Sequence, residues 1–280
     1  MGAVGRPAGD QVVIAIDLGG TKAAVATVSG AGEVLGRFVE PAPTGGPEAA
    51  IARFHERALT LPGAERAVGV GLALPAIVSD AGHIDWAAPS VQPWHDFAAG
   101  SALRAAFGLP TWVDFDGYAA TVAEAVFGAA RGARVACVCI VGTGFGAGTW
   151  YEDRVLRASV GVAGAVGHLR WPLPDGSLSQ PAESIASGPG IAAEAARLTP
   201  GREWPDARAV FAAAGRGDPA AREAIGQAAL VAGVVAASLI DAVGPDVVVW
   251  SGGVGSRATF ADAASRVARR SCQPFAVGRT

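Results

Sequence analysis

The chain predicts a duplicated α/β architecture, two domains flanking a cleft, and three observations carry that fold class. An apolar run ending in Ile14-Ala-Ile enters Asp17-Leu-Gly19-Gly20-Thr21-Lys22, and the run Arg134 to Ile140 enters Val141-Gly142-Thr143-Gly144-Phe145-Gly146-Ala147-Gly148. Each turn opens a strand–strand–strand–helix pattern. Glycines placed after an apolar strand let backbone N–H groups approach an anion without Cβ interference. Two such turns predict one nucleotide held between two lobes.

Taken in order, alternation and β-branched content predict strands near 11–17, 23–29 and 33–39, a helix from Pro47 to Leu61 and a strand from Ala67 to Leu74. Residues 75–98, rich in Pro, Asp, Gly and Trp, read as an ordered binding loop rather than a regular element. A helix from Gly100 to Gly108, a strand from Thr111 to Asp114 and a helix beginning near Asp116 close the first half. The second half predicts strands near 134–141, 145–151 and 154–157, helices Pro181–Leu198, Asp206–Ala214 and Pro219–Ala242, and a strand Asp246–Trp250 entering Ser251-Gly252-Gly253-Val254-Gly255. The expected domains are 1–115 and 116–280, with the hinge near 114–118.

Composition narrows the function classes. The chain has 280 residues, is 51% hydrophobic and 17% charged, and carries a net charge of −3, so it can bury one large or two modest cores. It has no basic stripe for nucleic acid, and the anion it binds is expected to be small. Cys137, Cys139 and Cys272 are too few and too poorly spaced for a disulfide framework, which fits a reducing cytoplasm. The first ten residues lack an apolar signal core. The longest apolar stretch, Ala228 to Ile240, is shorter than the roughly 20 residues of a spanning helix and reads as a helix buried on all sides.

Several side chains have two readings. Asp17 either caps its turn or holds hydrated magnesium beside phosphate oxygens. Lys22, the only lysine, is either a solvated strand residue or a phosphate contact, and Thr21 and Thr143 are expected to offer phosphate hydroxyls. In Val113-Asp114-Phe115-Asp116-Gly117-Tyr118, Asp116 either caps the following helix or accepts the proton of an attacking hydroxyl, which is a poor nucleophile at neutral pH without a base.

These motifs, in this order over nearly the whole chain, resemble the ROK family of bacterial sugar kinases and repressors, within the actin-like (ribonuclease H-like) superfold. Asp17 to Lys22 is similar to its first phosphate motif, Gly142 to Gly146 to its second, and Ser251-Gly252-Gly253-Val254 to its adenosine motif. Gly161-Val-Ala-Gly-Ala-Val-Gly-His168 resembles "GxxGE(I/V)GH", and Glu183-Ser-Ile-Ala-Ser187-Gly188 resembles "ExxxSG". The resemblance implies ATP held by Gly19, Gly20, Thr21, Lys22, Gly142, Thr143, Gly144, Gly252 and Gly253, Mg2+ held by Asp17 through water, and Asp116 as the catalytic base. It also implies a substrate shell of Ser90, Phe115, Asp116, His168 and Glu183. His168 reads as a core histidine, a loop histidine or a substrate ligand, and the resemblance favours the last.

Departures matter as much. Phe115 and Tyr118 stand where family members carry Asn, Ala165 where they carry the Glu of the "GE" pair, Pro89-Ser90 where they carry Pro-Asn, and Pro75-Ala76 where they carry Pro-Gly. Arg170 to Ser179 lacks the zinc-binding cysteines that follow the Gly-His, so no structural zinc is expected. Family members continue past this point with a small-residue segment and a final helix, whereas the sequence ends on Phe275-Ala-Val-Gly-Arg-Thr. The expectation is therefore an ATP-dependent cytoplasmic kinase acting on the primary hydroxyl of a hexose-like molecule, an amino sugar or C7-cyclitol of specialised metabolism such as antibiotic biosynthesis. A homodimer with no nucleic-acid or membrane partner is expected. An ordinary glucose or N-acetylmannosamine kinase and a catalytically weak sugar-binding protein are the alternatives. A repressor would need a helix-turn-helix domain where Met1 to Asp10 lie, and is not expected.

Overall fold

The computed structural model describes residues 10–274, so both the segment ahead of Asp10 and Phe275–Thr280 lie outside the described residues. The chain divides into two compact units. One runs to Ala120 and takes in Val160–Val162; the other takes Thr121–Ser159 and the described residues from Ala163 on.

In the first unit, β1 (Val12–Leu18), β2 (Lys22–Ser29) and β3 (Val34–Pro41) form an antiparallel meander, α1 (Pro47–Leu59) crosses over, and β4 (Ala67–Leu74) returns parallel to β1. A hairpin of β5 (Ala76–Val78) and β6 (Ile84–Ala87), then α2 (Ala99–Phe107), lead to β7 (Thr111–Phe115), parallel to β4. The sheet order is β3-β2-β1-β4-β7. Along β1, Val12, Ile14, Ile16 and Leu18 point inward at period two. Ile14, Ile16 and Leu18 meet Ile51 and Phe54 of α1, Leu72 and Leu74 of β4 and Leu103 of α2 in one core. The register pairs Asp17 with Ala73 and Ala73 with Asp114, so the carboxyl ends of β1, β4 and β7 emerge on one edge. Ligands of open α/β sheets bind at that edge.

The helix α3 (Asp116–Val126) follows β7 directly, and the division between the units falls within it. The second unit repeats the plan with β8 (Val135–Val141), β9 (Phe145–Tyr151) and β10 (Arg154–Val155), then α4 (Gly188–Leu198), α5 (Ala207–Gly215) and α6 (Pro219–Val243). The strand β11 (Val247–Ser251), the short α7 (Gly252–Gly255) and α8 (Ala258–Ser271) complete it. Its order, β10-β9-β8-β11, reproduces β3-β2-β1-β4, as a duplication requires. Cys137 and Cys139 lie on the buried β8; burial pushes the Cys137 thiol up to about 11 and Cys139 further, so both are inert packing groups.

Three expectations need correction, and one helix is added. Residues 75–98 are not simply a loop: they hold the β5–β6 hairpin and a 3-10 turn at Pro89–Trp94, strands too short for periodicity to reveal. The helix expected from Pro181 starts at Gly188, where the Ser187 hydroxyl accepts the Gly190 N–H, and only a 3-10 turn covers Ala182–Ser184. The helix α6 has 25 residues and is, by length and composition, able to cross a membrane. Most of it is buried in the second core, yet it is not buried on all sides, because Leu230 and Val234 reach the surface. The helix α8 was not anticipated, although Phe260, Ala264, Val267 and Ala268 mark its inward face.

Candidate active site

The first glycine turn closes with the Gly19 N–H donating to the Lys22 carbonyl at 3.0 Å. It rests directly on Ser90: any Cβ at Gly20 would overlap the Ser90 side chain, so only glycine fits there. Asp17, Thr21 and Lys22 are exposed at this end of β1 and β2.

In the same unit Asp116 opens α3, half-buried, with Oδ1 accepting the Gly117 N–H at 2.8 Å. Burial holds its carboxyl above the usual carboxylate range; the Gly117 N–H opposes that shift and the charge of Asp17 adds to it. Asp114, two residues earlier on β7, accepts the Phe115 N–H at 2.9 Å. The Phe115 ring lies over Gly117 and meets Tyr118 edge to face, centroids 5.2 Å apart. An aromatic pair therefore flanks Asp116, with Tyr118 buried and Phe115 partly open.

The second unit assembles its own cradle. The Gly142 N–H donates to the Gly144 carbonyl at 2.9 Å, and the Gly142 carbonyl accepts the Gly188 N–H at 2.7 Å. Gly252 has φ of 85°, and a Cβ there would stand 2.5 Å from the Val141 carbonyl oxygen. The turn Gly142–Gly144, the start of α4 and Gly252–Gly253 thus converge. Thr143 is exposed at the tip of the turn, and neither its N–H nor that of Gly144 has a hydrogen-bond partner among the described residues.

His168 ends a 3-10 turn at Val166–His168 and is exposed, as is Ala165, which sets aside the core-histidine reading. Gly164, at φ of 88°, packs its backbone on β9, its carbonyl accepting the Ala147 N–H at 2.8 Å. Glu183 was expected only as a substrate contact. Its Oε2 accepts the Phe145 N–H at 2.8 Å, while Oε1 has no hydrogen bond among the described residues.

The Arg170–Ser179 segment, where family members carry cysteines, is a small hairpin. The Leu173 N–H donates to the Ser177 carbonyl at 2.8 Å, and the buried Ser179 hydroxyl accepts the Trp171 N–H at 3.0 Å and donates to the Gln180 carbonyl. Arg170 also donates to the Ser179 carbonyl, at 2.9 Å. Among the described residues no group of three or more His, Cys, Asp and Glu side chains is placed to hold a metal. Magnesium keeps most of its waters and takes one or two carboxylates beside phosphates, a demand that the exposed Asp17 fits.

The profile of the ROK family matches residues 13–276. The chain is 33% identical over 257 residues to the bifunctional enzyme NanE/NanK of Brucella melitensis, covering 89% of this chain and 47% of that protein, so it spans about half the length of that relative. It is 32% identical over 250 residues to the N-acetylmannosamine kinase of Shigella boydii, covering 88% of this chain and 84% of that protein. The ROK family glucokinase from Streptomyces griseus, solved in complex with glucose and AMPPNP, shares its fold with a TM-score of 0.79 and 27% identity, over 93% of this chain and 89% of that one. With the duplicated sheets, the glycine turns and the profile match in agreement, the chain belongs to the ROK family.

Proposed function

We propose that this protein transfers the γ-phosphoryl group of ATP to the primary hydroxyl of a modified hexose-like molecule, with Asp116 as general base. The observation that carries the reading is the half-buried Asp116 at the carboxyl edge of β1, β4 and β7, beside Asp17 and with its carboxyl held above the ordinary range. A raised carboxylate is a better proton acceptor, and positioned bases act best near the operating pH. The acceptor hydroxyl gives its proton to Asp116 as its oxygen bonds to the γ-phosphorus, and the bond from that phosphorus to the bridging oxygen breaks to release ADP. Asp17 would hold magnesium through water, and the bound ion would neutralise charge on the phosphates. The glycine turns at Gly19–Lys22 and Gly142–Gly144 offer N–H groups, with Thr21 and Thr143 as hydroxyl donors, and Gly252–Gly253 leaves room for the nucleoside.

Phe115 beside the base, and Ala165 before His168, remove hydrogen-bonding groups from the acceptor shell. A site without partners for a hydroxyl leaves that hydroxyl unsatisfied, which costs strongly. The acceptor is therefore one that lacks, inverts or replaces a ring hydroxyl, an amino sugar or a C7-cyclitol, with Ser90, His168 and Glu183 holding its remaining polar groups. The names of the relatives support the alternative of a plain glucose or N-acetylmannosamine kinase. We expect the enzyme to act as a cytoplasmic homodimer. Kinetics of the variant Phe115→Asn with Ala165→Glu separate the two acceptor readings. The catalytic efficiency ratio of glucose over the preferred acceptor should rise about tenfold or more; an unchanged ratio would contradict the role given to these residues.

A further inference from the structure

We infer that Glu183 is a positioning residue for the second phosphate turn, setting the direction of the N–H groups that hold the nucleotide. The inference rests on the phosphotransfer reading above. The peptide unit joining Gly144 to Phe145 is held at both ends: its carbonyl accepts the Gly142 N–H at 2.9 Å and its N–H donates to Glu183 Oε2 at 2.8 Å. Gripping both groups fixes the plane of that peptide, and with it the turn in which the Thr143 and Gly144 N–H groups stay unpaired. The first grip is local to the turn, whereas the second comes from a side chain 38 residues away.

The carboxylate fits only because two backbones lack side chains. A Cβ at Gly144 would lie 2.6 Å from Glu183 Oε2, and one at Gly167 would lie 3.2 Å from the same oxygen and 3.1 Å from the Glu183 Cβ. Glu183 is thus wedged between the phosphate turn and the segment that carries His168. Hydrogen bonds from backbone N–H to an ionised carboxylate are among the stronger ones, which suits a group that must keep a turn in its anion-binding shape. Oε1 remains available for the acceptor, so the residue touches the reaction mainly through the turn.

The test measures binding of magnesium AMPPNP by calorimetry, and hydrogen exchange over residues 142–146, in wild type, Glu183→Ala and Glu183→Gln. Glu183→Ala should weaken AMPPNP binding about tenfold and speed exchange at the Phe145 amide by a similar factor. Glu183→Gln keeps an oxygen acceptor without the charge and should fall between the two. Should Glu183→Ala not fold, Gly144→Ala, whose new Cβ pushes the carboxylate off the Phe145 N–H, serves in its place. A rise in acceptor KM with AMPPNP affinity and Phe145 exchange both unchanged would overturn the inference. If wild type fails to bind AMPPNP, the phosphotransfer reading fails, and exchange at Phe145 alone then decides whether Glu183 holds the turn.

Discussion

Asp116→Asn is expected to lower phosphoryl transfer by about 10²-fold to 10⁴-fold while leaving the fold in place, because the amide keeps the shape of the carboxylate but cannot take the proton. Its oxygen can still accept the Gly117 N–H, as the wild-type carboxylate does. Stability should move the other way. The folded carboxyl binds its proton more tightly than the unfolded chain does, because burial disfavours the charge and Asp17 adds repulsion. Native stability therefore falls as pH rises from the unfolded carboxyl value through the raised folded one, and the full cost is present above that window. Asn carries no such charge, so the variant should melt at or above wild type near neutral pH and lose that segment of the pH dependence. The acid limb of catalytic efficiency should follow the raised Asp116 value in wild type. Turnover within tenfold of wild type, or a melting temperature clearly below it, would contradict the assignment.

Gly252→Ala is expected to damage both the second unit and the glycine turn after β8, which we propose holds the nucleotide. The residue sits at φ of 85°, where an L side chain is strained, and its new Cβ would stand 2.5 Å from the Val141 carbonyl oxygen, a backbone atom that cannot rotate away. Strain and overpacking together cost about 3 kcal/mol, which lowers the melting temperature by roughly 5–10 °C in a unit of this size. AMPPNP binding should weaken as well, since Val141 leads directly into Gly142. Gly253→Ala is the internal comparison: its added Cβ meets nothing within 4 Å, so melting should stay near wild type. Equal melting of the two variants would show that the close approach of Gly252 to β8 is not needed.

The parts of this molecule that were legible in the sequence are those with local causes. The alternation of Val12, Ile14, Ile16 and Leu18 announces β1, the apolar run announces β8, and the glycines after each mark turns, of which Gly20 and Gly144 stand where an added Cβ would clash. The position of Asp116 at a strand–helix junction is likewise local, and the structure places it there. What was not legible depends on distant pairs. The seat of Gly20 on Ser90 and the bond from Phe145 to Glu183 join residues far apart in the chain, and no spacing rule connects them. The β5–β6 hairpin escaped because each strand is too short to show a period, and its identity comes from Ile84 being wholly buried and Ala76 pairing with Ala87. The hairpin of Arg170–Ser179 is a similar case: the lack of cysteines is plain in the sequence, but the buried Ser179 hydroxyl that ties the hairpin to Trp171 and Gln180 appears only in three dimensions.

Acceptor-dependent ADP release by the full chain with ATP and magnesium, measured across hexoses, amino sugars and C7-cyclitols, tests the central claim most directly. The account predicts release that requires both acceptor and magnesium, with an amino sugar or a cyclitol giving a higher catalytic efficiency than glucose. ADP release that is independent of every acceptor, or highest with glucose, would contradict it.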